Sequence, residues 1–206
     1  YNKPKPATPL KSFFLPVKEN VTSTIHSDKP RIILGVPNCD IEGLKLLDEI
    51  YLDTEFTDIF YKKRRESTII ISSDCFGIQE HCHCLSYNFK PYSTEIADLA
   101  VAYLNNKIVL RVISAKGEDF VKGISSVQGN DIFSSAIDKE HLATETLLAN
   151  ANKGLPDSQM TGKLVVNAKD DVWKKHSARC VSCGACTTIC PTCTCFLLID
   201  KPGFEK

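Results

Sequence analysis

Ten cysteines lie in two separate stretches of this 206-residue chain, and their spacing constrains the fold more than any other feature. Six are crowded towards the C-terminal end, at Cys180, Cys183, Cys186, Cys190, Cys193 and Cys195. The other four are Cys39, Cys75, Cys82 and Cys84. Because thiols stay reduced inside cells, so many cysteines in a chain without a visible signal peptide indicate metal or redox chemistry, not a disulfide framework.

The segment 180–191 has the spacing C-x2-C-x2-C-x3-C-P, which holds iron–sulfur clusters in bacterial ferredoxins. Gaps of two residues let a tight loop bring three sulfurs over one face of a cubane cluster, and Gly184 allows backbone angles that a side chain disfavours. Structural zinc usually takes two separated pairs of ligands. The spacing therefore favours a [4Fe-4S] cluster over zinc, a disulfide or a thioredoxin-like dithiol, with candidate ligands Cys180, Cys183, Cys186 and Cys190.

The fourth cysteine of this run raises a separate question. In two-cluster ferredoxins that cysteine ligates the other cluster, whose own run does not occur in these residues. The sequence leaves open whether Cys190, Cys193 or Cys195 closes the first cluster. A truncated chain is the simplest expectation.

Apolar runs predict an α/β (α+β) fold with a short sheet for the N-terminal domain, residues 1–125. Residues 1–24 are expected to form an extended arm punctuated by prolines. Buried strands are predicted at 31–37 and 67–72, with a helix over 40–51 for which Asp40 is the N-cap. Residues 99–104 and 108–113 predict a β-hairpin because they flank the turn sequence Asn105-Asn106-Lys107.

The rest of the chain is predicted to form a helical connector, residues 126–177, and an incomplete ferredoxin-like [4Fe-4S] module, residues 178–206. Composition favours a helix over 131–152, a loop around Pro156 and Gly162, and a helical or mixed segment over 160–176. A short strand is expected at 196–199.

The four N-terminal cysteines suit a second metal site. If the two buried strands are parallel neighbours, Cys39 and Cys75 leave the sheet at the same edge, where open α/β sheets build their sites. The helix start at Asp40 is expected to favour a thiolate at Cys39. Cys82 and Cys84 lie on a polar loop that can fold back over this edge. An iron–sulfur cluster is favoured, while zinc and buried unliganded cysteines remain alternatives.

Charge and hydropathy exclude several classes of function. Lys+Arg and Asp+Glu are both 25, so the net charge is zero, which predicts no nucleic-acid binding and no polybasic membrane anchor. No apolar stretch approaches the ~18 residues of a membrane span, and a cytoplasmic location is expected. The charged run 62–65 is expected to be a solvated face, with a docking patch as the alternative. Phosphate-binding loops and hydrolase motifs are missing, so nucleotide binding is expected on a partner.

Several segments, in this order, resemble one family: 34–48 (LGVPNCDIEGLKLLD), 61–66 (YKKRRE), Cys75 with Cys82-His-Cys84, and the run from Cys180 to Cys195. The opening Pro9-Leu-Lys-Ser-Phe-Phe-Leu-Pro16 is similar too. The chain resembles the iron–sulfur beta subunit of sulfhydrogenase-type [NiFe] hydrogenases and the alpha subunit of anaerobic sulfite reductase.

This resemblance implies a non-catalytic electron-transfer subunit of a hetero-oligomeric, anaerobic oxidoreductase complex. Its partners would be a flavin subunit that handles NAD(P)H and a catalytic subunit, a hydrogenase or a reductase of sulfur, sulfite or a disulfide. Cubane clusters are implied at Cys180, Cys183 and Cys186 and at the four N-terminal cysteines. Family members continue beyond the position of Asp200 with a second ferredoxin run. A zinc-stabilised interaction module and a thiol–disulfide oxidoreductase are the competing hypotheses.

Overall fold

The computed structural model of the chain describes residues 8–20, 29–125, 129, 131–195 and 199. Within them, four strands form one mixed sheet in the order β1-β2-β3-β4. The strands are β1 (Arg31–Pro37), β2 (Thr68–Ser73), β3 (Leu99–Leu104) and β4 (Lys107–Val112). β1, β2 and β3 are parallel and β4 is antiparallel to β3. This arrangement confirms both predicted strands and the predicted hairpin. The expected burial holds for β2 but is wrong for most of β1, because β1 is an edge strand on which Ile32 and Leu34 are more than half exposed.

The described residues contain seven α-helices: α1 (Asn38–Tyr51), α2 (Ile59–Glu66), α3 (Ala115–Lys122), α4 (Asp131–Ala151), α5 (Ser158–Asn167), α6 (Asp170–Ser177) and α7 (Ala185–Ile189). Two short 3-10 turns lie at Leu10–Phe13 and Cys84–Tyr87. The molecule is therefore a mixed α/β protein, and the predicted helix over 131–152 is confirmed. In the described part of the chain, no helix has both the length and the apolar character needed to cross a bilayer.

The main core lies between α1 and one face of the sheet. Ile41, Leu44 and Leu47 recur every three residues along α1, so they share one helix face, and each is at most 1% exposed. They belong to a cluster with Ile70 of β2. Each such side chain contributes about 1.5–3 kcal/mol when fully buried, so this face fixes α1, and with it Cys39, on the sheet.

The N-terminal segment is also part of this core, and the prediction of an extended arm is wrong for residues 10–13. Leu10 and Phe14 are buried in the same cluster as α1. Residues 10–13 form a 3-10 turn instead of an extended segment. Burial of two large apolar side chains outweighs the preference of the flanking prolines for extended backbone.

The opposite face of the sheet is covered by α3. Ile71, Leu99 and Val101 form a second buried cluster, against which Phe120 and Val121 of α3 pack. β2 and β3 are thus covered on both faces, which explains their nearly continuous apolar sequences.

Two local expectations are corrected, and helix α2 was missed. Helix α1 begins at Asn38 after the extended Pro37, so Asp40 lies in its first turn and is not the N-cap. Gly162 lies inside α5 and not in a loop. Helix α2 was not predicted, because its sequence is dominated by charged residues; it is capped by Asp58, whose carboxylate accepts hydrogen bonds from two backbone N–H groups.

The charged run 62–65 is only partly a solvated face. The Arg64 and Arg65 side chains are each 16% exposed, and they pair with Glu19 and Asp48 respectively. The arginines attach α2 to the N-terminal segment and to α1.

The ferredoxin-like module is not confirmed. Its described part consists of α7 and the loops around it. The predicted strand at 196–199 lies outside the described residues, apart from Ile199.

Candidate metal centres

The ends of two parallel strands place the first pair of N-terminal cysteines. Pro37 at the end of β1 is paired with Ser73 at the end of β2. Cys39 and Cys75 each lie two residues beyond these ends, so they leave the sheet at the same edge, as predicted. The backbone N–H of Cys75 donates to the carbonyl of Pro91 at 3.0 Å, which fixes the chain as it leaves β2.

The loop carrying the other two cysteines folds back over this edge. Cys39, Cys75, Cys82 and Cys84 all line one cavity of about 400 Å³. A water molecule's share of volume is about 30 Å³, so this space exceeds what a single ion needs. The structure thus gathers the four thiols that the sequence placed at three points of the chain.

Desolvation by burial is the main influence on the pKa values of three of these thiols, and it raises them. It raises the pKa of Cys39 to about 12, and the nearby carboxylate of Asp40 acts in the same direction. Burial likewise raises the pKa of Cys75 to about 12 and that of Cys84 to about 11. The expectation that the helix start favours a thiolate at Cys39 is wrong, because desolvation outweighs the hydrogen bond from the Asp40 backbone N–H.

Helix α4 supports the cysteine loop from the side. The Asn152 side chain, just beyond its end, donates from Nδ2 to the carbonyl of Cys82 at 2.8 Å. Leu148, one helical turn earlier, lines the cavity. The Gln79 backbone N–H also donates to Sγ of Cys82 at 3.3 Å. Both the backbone carbonyl and the sulfur of Cys82 therefore accept a hydrogen bond.

A buried polar network lies directly beside Cys75. The Asp74 side chain is 0% exposed and pairs with Arg111 of β4 at 2.8 Å and with His141 of α4 at 2.9 Å. The His141 ring stacks on Tyr92, with centroids 3.6 Å apart. This network was not predicted, since no local sequence pattern links residues so far apart in the chain.

The C-terminal cysteines lie on a tight loop that leads into α7. Gly184 has φ 72°, in the left-handed region, as predicted, and Ser182 also has positive φ. The Ser182 backbone N–H donates to Sγ of Cys180 at 3.4 Å. Cys180, Cys183 and Cys186 are exposed.

Cys190 has different surroundings from the three cysteines before it. It follows the end of α7, and its Sγ lies 3.4 Å from the hydroxyl of Thr192. That hydrogen bond is the main reason why the pKa of Cys190 lies below its usual value. Cys190 is partly buried.

The donor sets can be tested against the two kinds of metal group. In the described part of the chain, no three His, Cys, Asp or Glu side chains lie close enough together to hold a single metal ion. Tetrahedral zinc with Zn–S bonds of about 2.3 Å requires sulfurs only about 4 Å apart. Cysteines around a cubane cluster each bind a different iron and stand farther apart. Four thiols that line one cavity are a donor set of the kind that iron–sulfur clusters require.

Comparison with known proteins gives one clear relative. No family model matches the chain, and no solved structure matches it. The chain is 30% identical over 203 residues to the curated protein sulfhydrogenase 2 subunit beta from Pyrococcus furiosus. The alignment covers 93% of this chain and 58% of that protein, so the chain spans less than two thirds of the relative's length. The family resemblance expected from the motifs is confirmed.

Proposed function

The chain is a relative of the sulfhydrogenase beta subunit, and from this premise we propose that it is an iron–sulfur electron-transfer subunit of a cytoplasmic oxidoreductase complex. Electrons pass between a flavin subunit that handles NAD(P)H and a catalytic subunit, a hydrogenase or a reductase of sulfur, sulfite or a disulfide. The chain carries out no substrate chemistry of its own and binds neither nucleic acid nor membrane.

One observation carries this proposal: four cysteines from three chain segments line a single cavity. Buried cysteines often serve merely as small apolar side chains, but such residues pack into the core and do not surround a shared space. Thiolate is the ligand type that iron–sulfur clusters require. We therefore assign Cys39, Cys75, Cys82 and Cys84 as the ligands of one [4Fe-4S] cluster.

The chain's own residues prepare this site for a bound cluster. A cluster supplies reversible one-electron chemistry when bound. The thiols have raised pKa values without metal, so cluster binding must release their protons and compensate the resulting negative charge. The backbone N–H of Gln79 donates a hydrogen bond to the Cys82 sulfur. This bond withdraws electron density from a ligand and so favours the reduced state of a bound cluster.

The second proposed cluster uses the C-terminal run. Two left-handed residues, Ser182 and Gly184, make the loop turn tightly between the cysteines of this run. We propose Cys180, Cys183 and Cys186 as ligands, with Cys190 as the fourth cysteine of the ferredoxin-type run. The hydrogen bond that the Ser182 backbone N–H donates to the Cys180 sulfur is of the kind that tunes the reduction potential of a cluster.

Metal analysis of anaerobically purified protein tests the proposal. We expect iron and acid-labile sulfide in equal amounts, a broad visible band and an EPR signal on reduction. Cys75→Ser should remove the iron of one cluster only, and Cys183→Ser that of the other, so each variant controls for the other. Colourless protein with stoichiometric zinc would support the interaction-module hypothesis instead. Dithiol reductase activity that survives iron chelation would support the oxidoreductase hypothesis.

A further inference from the structure

A lysine from the start of the chain is buried against its C-terminal cysteine segment. Lys11 belongs to the 3-10 turn Leu10–Phe13 and is only 9% exposed. Its Nζ donates hydrogen bonds to the backbone carbonyls of Thr187 and, at 3.2 Å, Cys193. A lysine is seldom buried without a partner, so these carbonyls are the reason this ammonium is tolerated in the interior.

A second contact holds the same segment against α1. A Cβ built on Gly43 would lie 2.7 Å from Cβ of Pro191, so the helix backbone and the proline ring are in direct contact. Gly43 is four residues after Cys39 on α1, about 6 Å along the helix axis. Together, Lys11 and Gly43 form a seat for residues 187–193, and the seat lies one helical turn from the N-terminal cysteine site.

The ammonium also lies close to two cysteine positions of this segment. Lys11 hydrogen-bonds the carbonyl of Cys193 and that of Thr187, which is adjacent to Cys186. A positive charge therefore lies against the backbone of the segment that carries proposed C-terminal ligands.

We propose that Lys11 is a positioning residue that seats segment 187–193 on α1 and that its charge stabilises the reduced state of the C-terminal cluster. This inference rests on the proposed function and deepens it. A cluster held by four thiolates is negatively charged and becomes more so by one unit when it accepts an electron. A buried cation nearby favours that step, because charges interact strongly where water is excluded.

The seat also gives the two proposed clusters a fixed separation. Pro191 rests on the helix that carries Cys39, so the segment after α7 cannot shift without breaking this contact. Clusters held by these two sets of cysteines would then stay at one separation, and one electron could pass between them, oxidising one cluster and reducing the other.

A redox titration tests the charge of Lys11. In anaerobically purified full-length protein, Lys11→Met should make the midpoint potential of the C-terminal cluster more negative and leave that of the N-terminal cluster unchanged. We expect a tenfold lower ratio of reduced to oxidised cluster at a fixed potential, which corresponds to about 59 mV for a one-electron couple. Lys11→Arg keeps the charge and should leave the midpoint potential close to that of the unchanged protein. Lys18→Met is the matched control, because it removes the same charge from an exposed position nearby.

Hydrogen exchange tests the seat without depending on iron. Lys11→Met should raise exchange at least tenfold at the amides of Thr188, Cys190 and Cys193, while Lys18→Met should not. Gly43→Val, which crowds Pro191 without changing charge, should have the same effect on exchange. Iron-free protein would overturn the proposed function but would still allow this measurement. If the clusters load and Lys11→Met behaves like Lys18→Met in either experiment, the inference is overturned while the proposed function stands.

Discussion

The Nε2 atom of His141 lies 2.9 Å from a carboxylate oxygen of Asp74, in a buried contact that joins α4 to the end of β2. Arg111 of β4 pairs with the same carboxylate. Three elements thus meet at the residue that precedes Cys75. This junction holds α4 beside the cysteine loop.

We expect Asp74→Asn to lower the free energy of unfolding by about 3 kcal/mol, because it leaves Arg111 without its charge partner in a buried site. Urea unfolding monitored by circular dichroism measures this loss. Asp119→Asn is the matched control: its pair with Lys122 is well exposed, so this substitution should leave the free energy of unfolding nearly unchanged. Equal costs for the two variants would contradict a structural role for the Asp74 network.

Asn152 should matter for retention of the N-terminal cluster. Asn152→Ala removes the hydrogen bond to the carbonyl of Cys82 and leaves all four thiols in place. We expect iron release to a chelator to become about 10–100-fold faster, because mutating a group that orients a metal ligand typically lowers metal affinity by about that factor. Asn167→Ala removes a comparable bond to the Lys163 carbonyl on exposed α5 and should not change the rate.

Two glycines in helices should respond oppositely to alanine. A Cβ on Gly117 would lie 2.0 Å from the carbonyl oxygen of Asp98, so α3 must move away from the sheet, at a cost of about 3 kcal/mol. A Cβ on Gly162 meets open space inside α5, and alanine there should stabilise by about 0.5–1 kcal/mol. Thermal unfolding of both variants distinguishes these outcomes; a stable Gly117→Ala protein would refute the close approach.

Tyr61 should make stability fall at alkaline pH. Its buried hydroxyl donates to Asp48 at 2.6 Å, and burial, followed by this hydrogen bond, raises its pKa. A raised pKa means that the folded state holds the proton more tightly. The contribution of this hydroxyl to the free energy of unfolding is therefore complete below the ordinary tyrosine pKa of about 10 and is lost as pH rises beyond it.

Tyr61→Phe serves as the comparison for this effect. It should cost about 2 kcal/mol at pH 7, the value of a hydrogen bond to a charged group. The stability difference between Tyr61→Phe and the unchanged protein should shrink as pH rises above about 10. A difference that stays constant up to pH 11 would contradict the assignment, since cysteine titration is common to both proteins.

The predictions that were confirmed depend on neighbours in sequence. The strands at β1 and β2 and the hairpin turn at Asn105 and Asn106 follow from apolar runs and turn residues. The predictions that were wrong concern residues whose state depends on distant partners. The 3-10 turn at 10–13 forms because Leu10 and Phe14 enter the core, and the pKa of Cys39 is raised because the protein around it partly desolvates its thiolate.

The sequence by itself determined which residue types are available for the chemistry: ten thiols, in two groups, at fixed spacings. It also determined the strands that end just before Cys39 and Cys75, because backbone preference and apolar pattern act over a few residues, whereas the parallel pairing of these strands belongs to the tertiary structure. Only the tertiary structure decided which distant groups meet there, such as Asn152 at Cys82 and Lys11 at Cys193. Those contacts arise from the packing of whole elements, whose energy is spread over many side chains and leaves no local signature.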